Sequence, residues 1–441
     1  MRTETFELPG LSLTDVTLES RLTPDPKDER VIDVFARVVT GRGGEEKPYL
    51  LFLQGGPGTE APRPTPGNPP WLSRALEDYR VVMLDQRGTG RSTPVYSRSV
   101  RAVGGGPTEV VRDEHGAAGG EYEVAGPLEG LTPAQQAEYL THLRADSIVR
   151  DAELVREALG AETWTLLGQS FGGFTSLHYL AARPGSLTGA LITGGLPAVA
   201  RPIDEVYAAT WRTMTEKSEE FYRRFPGDRD RMVEVVRAAV AGEIVLPGGQ
   251  VVSEQRLRTV GTKFGMQGGM VELHYLLGLD HRSSAFAHDL AGILMNGRNP
   301  LYSVVHESCY ADGGVTNWAA ERTMPREVAE DPTLLAGEHV TRRTFRDDPE
   351  LRPFADAAEI LAQYEWGRLY DPARLAAAHV PVAAAVYADD AYVPRDFSLE
   401  TAALLPDCRV WLTSEYEHNG LRMGPAVLDH LIGLLHGRRW R

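Results

Sequence analysis

Two kinds of apolar pattern alternate along the first two hundred residues. VIDVFARVV from Val31, PYLLFLQ from Pro48, YRVVMLDQRG from Tyr79, TWTLLG from Thr163 and GALITGG from Gly189 are short runs closed by glycine or polar residues. Runs of that kind read as strands, and the later ones are apolar enough to be covered on both faces. The charged, glycine-rich GRGGEEK between the first two predicts a hairpin. LTPAQQAEYLTHLRADSIVRDAELVREALG reads as a helix, with Thr132 as N-cap, Pro133 in the first turn and Gly160 closing it. Strands alternating with helices predict a mostly parallel sheet wrapped by helices.

From about Pro202 to about Pro353 the strand-like runs thin out. Stretches such as IDEVYAATWRTMTEKSEEFYRRF, rich in charge and aromatics, predict helices instead. Strand logic resumes with VPVAAAVYADD, a helix from about Asp396, CRVWLTS, and a last helix opening at Pro425. The expected organisation is a core over 1–200, a mainly helical insertion over 201–355, and the last strands of the core over 356–441. The glycine-rich stretch 101–130 is expected to be a surface excursion or β-ribbon.

Composition narrows the function classes. Acidic residues outnumber basic ones by 61 to 46, a formal charge of −15. Such a field repels phosphate backbones and anionic bilayers, which argues against nucleic acid and membrane partners. No apolar run approaches the roughly 20 residues of a membrane span, and the N-terminus shows no secretory pattern. The two cysteines, Cys309 and Cys408, cannot build a disulfide framework, so a cytoplasmic setting is expected. No phosphate-loop or dinucleotide fingerprint occurs. His274, His281 and His288 recur at heptad spacing but have no carboxylate or cysteine partners at metal-ligand spacing.

The chemistry is concentrated at strand ends. GQSFG matches the G-x-S-x-G elbow with a strand before it and a helix after it, which makes Ser170 a candidate nucleophile. Gly168 and Gly172 flank it where side chains would collide with neighbouring backbone. QGGPG, Gln54–Gly58, ends another strand at the same sheet edge, so the amides of Gly56 and of Phe171, the residue after the serine, are candidate oxyanion donors. The base should lie on a loop after the last strand, where His418 stands in EYEHNG; His379 precedes a strand, the wrong end of the sheet. Its orienting carboxylate should end the preceding strand, where Asp390 is favoured and Asp389 competes. Asp85 and Arg87 in DQRGTGRS are expected to brace the QGGPG loop.

QGGPG, DQRGTGRS and GQSFGG, followed by a late aspartate and histidine, resemble the prolyl aminopeptidases (proline iminopeptidases) of the α/β-hydrolase superfamily. The likeness extends over most of the chain and is strongest at those motifs. It implies an α/β-hydrolase fold and a serine exopeptidase with Ser170, Asp390 and His418 as its triad, Gly56 and Phe171 as its oxyanion hole, and no metal or cofactor. Many members read H-G-G-P-G; Gln54 replaces that histidine here. In the family the helical insertion caps the site, and acids beneath it hold the substrate's free amino group. HESCYADGGVTNWAAER resembles the family's E-x-x-Y stretch, which implies substrate-binding roles for Glu307 and Tyr310, with Glu272 as a second acid. Tyr310 and Trp318 are candidates to wall a slot for a pyrrolidine ring. The implied substrate is a peptide with a free N-terminal proline. An esterase, a lactonase or a broader aminopeptidase with the same triad is the alternative.

Overall fold

The computed structural model describes residues 1–99, 122–294 and 296–439. Among these residues eleven strands form: β1 (Arg2–Leu8), β2 (Leu11–Arg21), β3 (Val31–Gly41), β4 (Tyr49–Leu53), β5 (Arg80–Leu84), β6 (Tyr96–Ser99), β7 (Tyr122–Ala125), β8 (Trp164–Gln169), β9 (Leu187–Thr193), β10 (Val382–Tyr387) and β11 (Cys408–Thr413). Nine of them make one sheet in the order β1-β2-β3-β5-β4-β8-β9-β10-β11. The first three strands and the β3–β5 junction are antiparallel, and the rest of the sheet is parallel.

The interior parallel strands β4, β5, β8, β9 and β10 are mostly apolar because both their faces are covered. Leu51, Leu53, Val82, Leu84, Leu166 and Ile192 point into one core, against Ile148, Val149 and Phe174 of helices on that side. Their alternates Leu50, Phe52, Val81, Met83, Leu167 and Leu191 point into the other, against Trp71, Leu72, Leu428 and Leu431. A period of two with no polar face is the signature of a doubly covered sheet.

Three expectations need correction. β3 and β4 do not form a hairpin: β5 lies between them, paired antiparallel to β3 and parallel to β4. The fully apolar β4 belongs in the doubly covered interior, while β3, with half-exposed positions, suits the antiparallel margin. Secondly, β1 and β2 add a hairpin that the strand reading passed over. Its signal was present, in TETFEL and LSLTDV alternating around Pro9-Gly10. Thirdly, the helix expected over 132–160 is two, Pro133–Thr141 and Ala145–Ala158. Thr132 does cap the first, in a reciprocal capping box with Gln135. The excursion over 101–130 lies mostly outside the described residues; its flanking strands β6 and β7 pair antiparallel.

The break between the two helices has a cause in the core. Arg87, fully buried, takes the freed His142 carbonyl at 2.9 Å and the Leu22 carbonyl at 2.8 Å. It also grips both oxygens of buried Asp151 at 2.7 Å, and Ser20 adds a bond of 2.6 Å to the same carboxylate. Arg87 therefore ties strand, helix and loop together away from QGGPG, and it is Gln86 whose amide holds the Gln54 carbonyl, at 2.9 Å. Asp85 braces the next stretch by accepting the Ala61 and Arg91 amides. Removing one member of a buried pair leaves the other charge uncompensated. Asp151→Ala is accordingly expected to cost about 3–5 kcal/mol, read as a lower urea midpoint.

From Ile203 to Ala376 the regular elements of the described chain are helices, joined by loops that include the isolated bridges Val245–Val251 and Gly314–Trp366. This segment meets the core at the C-terminal ends of the parallel strands. Lys217 pairs with Glu417 at 2.8 Å, the Gln267 amide donates to Asn419 at 2.8 Å, and Arg144 donates to the Ala311 and Gly367 carbonyls. No helix among the described residues is long and apolar enough to cross a membrane.

Candidate active site

Ser170 occupies the turn between β8 and the helix Phe171–Ala182 with φ 54° and ψ −125°. A side chain at positive φ is strained, and such strain gathers at functional turns. The turn closes because glycines permit it. A Cβ at Gly172 would run into the Leu53 carbonyl, and one at Gly168 into the Gly172 carbonyl and the Ser176 hydroxyl. The serine loop thus sits directly on the start of QGGPG, with Gly55 in contact with the Ser170 Cβ position. The Ser170 amide is fixed to the Thr193 carbonyl at 3.0 Å, and the Phe171 backbone opens the helix, where amides favour negative charge.

His418 is buried on the loop after β11, and its Nδ1 lies 2.8 Å from Asp390 Oδ2. A carboxylate there fixes the tautomer: Nδ1 carries the proton and donates it, which leaves Nε2 as the acceptor. Asp390 is itself held by the Tyr392 and Val393 amides, at 2.9 and 3.0 Å on Oδ1. Asp389, one residue earlier, is exposed. Burial alone disfavours the imidazolium, but the charge and hydrogen bond of Asp390, aided by Glu338, outweigh it and raise the His418 pKa. Tyr392 packs edge-on against the imidazole, ring centres 5.0 Å apart.

Ser170, His418, Gly56, Glu338, Tyr392 and Arg422 line one cavity of about 310 Å³ between the strand ends and the helical segment. Glu338 is the carboxylate within it, and the sequence reading did not single it out. Burial pushes its pKa up to about 7, against the opposing pull of His418, of the Tyr302 hydroxyl, which donates to it at 2.8 Å, and of Arg422. His306 Nε2 stands 3.9 Å from its other oxygen, but burial lowers that histidine to about 4 and keeps it neutral at pH 7. The side chains in contact with this carboxylate are therefore neutral ones, while the charges of His418 and Arg422 act on it from farther off. The signal in the sequence was an acid set in the apolar run LLAGEHV.

The three cap residues implied by resemblance lie elsewhere. Glu307 is buried and raised to about 7 by that burial, but it accepts the Ala320 amide at 2.9 Å and faces a space of only about 20 Å³ beside Thr316 and Trp318. Trp318 is committed to Glu359 through its indole N–H, at 3.0 Å. Tyr310 packs on Phe174 and Tyr207 and donates to the Tyr392 carbonyl at 3.3 Å, so it supports the residue against His418 and does not line the cavity. Glu272 is exposed and paired with Lys263 at 2.8 Å. An E-x-x-Y match on one short helix fixes spacing along the chain, not which side of the helix meets the cavity. Among the described residues no group of three His, Cys, Asp or Glu is placed to hold a metal; His274 is paired with Asp228 at 2.8 Å.

Comparisons with known proteins agree with this architecture. Residues 48–231 match the family model described as the alpha/beta hydrolase fold. The proline iminopeptidase of Aeromonas sobria is 40% identical over 427 residues, covering 93% of each chain. A proline iminopeptidase of Aspergillus aculeatus is 29% identical over 446 residues, covering 95% of this chain and 93% of its own. A match over 93% of each chain takes in the serine elbow and the helical segment together. The chain is a member of the proline iminopeptidase family, on an α/β-hydrolase fold.

Proposed function

We propose that the protein is a serine exopeptidase that releases N-terminal proline from peptides through an acyl-enzyme on Ser170. The observation that carries this reading is the convergence, in one cavity, of a strained serine, an aspartate-bound histidine and a buried carboxylate with no cation in contact. The two relatives, both proline iminopeptidases, support proline as the residue released.

Ser170 Oγ attacks the prolyl carbonyl carbon while its proton passes to His418 Nε2. The resulting oxyanion is received by the amides of Gly56 and Phe171. His418 then returns the proton to the leaving nitrogen, the C–N bond breaks, and water, deprotonated by the same imidazole, frees proline from the serine. The helical segment acts as a cap that supplies the recognition group. Glu338 takes the role first expected of Glu307 and Glu272, because a carboxylate that lines the cavity with no cation in contact is suited to the substrate's ammonium.

Both His418 and Glu338 must be deprotonated for this chemistry; Glu338 loses its proton at about pH 7, and His418 at a pH above that of an ordinary imidazole. The acid limb of kcat/KM is therefore expected to be steep, approaching two protons, and activity falls again once the substrate amine is neutral. Glu338→Gln is expected to reduce the limb to one proton and to lower kcat/KM for a proline arylamide by about 30- to 1,000-fold, while N-acetylproline arylamide, which has no ammonium, is poorly cleaved by either form. Preference for the acetylated substrate or for simple esters would make the protein an esterase-type hydrolase instead.

A further inference from the structure

The catalytic cavity contains a second charged group that the reaction above does not use. Arg422 belongs to the short helical turn Gly420–Met423, one turn past His418, and it lines the same cavity as Ser170 and Glu338. Its side chain is accessible. Its Nε donates to Gln169 Oε1 at 3.4 Å, which anchors the side chain beside the residue preceding the nucleophile. Among the described residues no carboxylate lies within 4.0 Å of its guanidinium, in a protein where most arginines are paired and acids outnumber bases by 61 to 46. Glu338 attracts it through space, but with no acid in contact its bonding fork is free for a ligand.

The side of the cavity it occupies follows from the chemistry. His418 faces the nitrogen that leaves, so whatever is bonded to that nitrogen projects past the histidine, and Arg422 stands on the histidine's own loop. Glu338 lines the same cavity from the helical segment, near enough for the two charges to attract each other. In a dipeptide the ammonium and the terminal carboxylate are separated by no more than about 7 Å. A cavity of about 310 Å³ is at the small end of ligand pockets, which run from about 300 to 1,000 Å³. The negative field of the chain also repels a free carboxylate unless a local cation receives it.

Resting on the prolyl aminopeptidase reading, we propose that Arg422 binds a carboxylate on the residue that leaves, so that the enzyme favours dipeptides in which that residue carries a free α-carboxylate. Glu338 and Arg422 then hold the two ends of a zwitterion across the scissile bond. Arg422 acts here as a specificity residue and takes no part in proton transfer.

The test compares Pro-Gly, Pro-Gly amide and Pro-Glu amide, with proline arylamide as reference. The wild type is expected to show kcat/KM for Pro-Gly about 10-fold or more above Pro-Gly amide. In Arg422→Ala and Arg422→Gln that ratio falls to within about 2-fold of unity, and Arg422→Lys keeps an intermediate ratio because it retains charge without the fork. Pro-Glu amide exceeding Pro-Gly in the wild type would assign the contact to an acidic side chain and overturn the dipeptide preference. Equal rates on Pro-Gly and its amide in the wild type, or a ratio unchanged in both neutral variants, overturn the role of Arg422 altogether. Turnover of the arylamide with no carboxylate preference sinks this inference alone. Absence of arylamide turnover sinks the aminopeptidase reading and this inference with it.

Discussion

Ser170→Ala is expected to lower kcat on a proline arylamide by on the order of 10⁵- to 10⁶-fold, with the fold intact. The structural argument for an intact fold is that alanine keeps the Cβ and so meets the same backbone constraint at φ 54° that serine already satisfies. What is lost is the oxygen that attacks. Covalent labelling by a fluorophosphonate should vanish in parallel, while the thermal unfolding midpoint stays within a few degrees of wild type. A variant that retained even a hundredth of the wild-type rate would mean that Ser170 is not the nucleophile, whatever its conformation.

Asp390→Asn should be the next most severe change, about 10⁴-fold in kcat. Asparagine can keep one oxygen on the Tyr392 and Val393 amides. Its amide nitrogen then faces His418 Nδ1, a donor, which forces the proton onto Nε2 and removes the acceptor that the serine needs. The sign of the accompanying pH effect is fixed by the electrostatics. The Asp390 charge is a principal cause holding the imidazole pKa above its ordinary value against burial. Without it burial dominates, the pKa falls, and the residual activity should have its acid limb at lower pH than wild type. A loss of activity with an unmoved limb would indicate general damage to the loop rather than loss of this pair.

How much of this was legible beforehand depended on the range of the interaction. The elbow around Ser170 is written in consecutive residues, because the steric demand of a strand-to-helix turn acts on Gly168 and Gly172 themselves. The same holds for Thr132 and its partner three residues on. His418 and Asp390 could be located because each follows a strand, although only the fold brings them to 2.8 Å. The β3–β4 hairpin misled because short loops connect hydrogen-bonded neighbours often, yet burial decided the order of the strands and placed β5 between them. Glu338 was out of reach for another reason. Nothing local marks it apart from an acid among apolar residues, and its meaning arises from Tyr302 and His306 before it and His418 after it. Arg87 shows the same limit: its motif pointed to the neighbouring loop, whereas its bonds run to Asp151 and two distant carbonyls.

The contact of Gly172 with the Leu53 carbonyl has a consequence for how such an enzyme can change over generations. With not even a methyl group's width between the nucleophile helix and the loop that opens at Gln54, these two parts of the wall must be inherited together. Glu338, Tyr302 and the other side chains of the cap meet the cavity from a long helical segment with many independent attachments. Drift is open to that side and closed to the other. New substrates should therefore arise by rewriting the cap while the elbow and its facing loop stay fixed, and descendants of this scaffold should diverge in what they accept long before they diverge in how they cut.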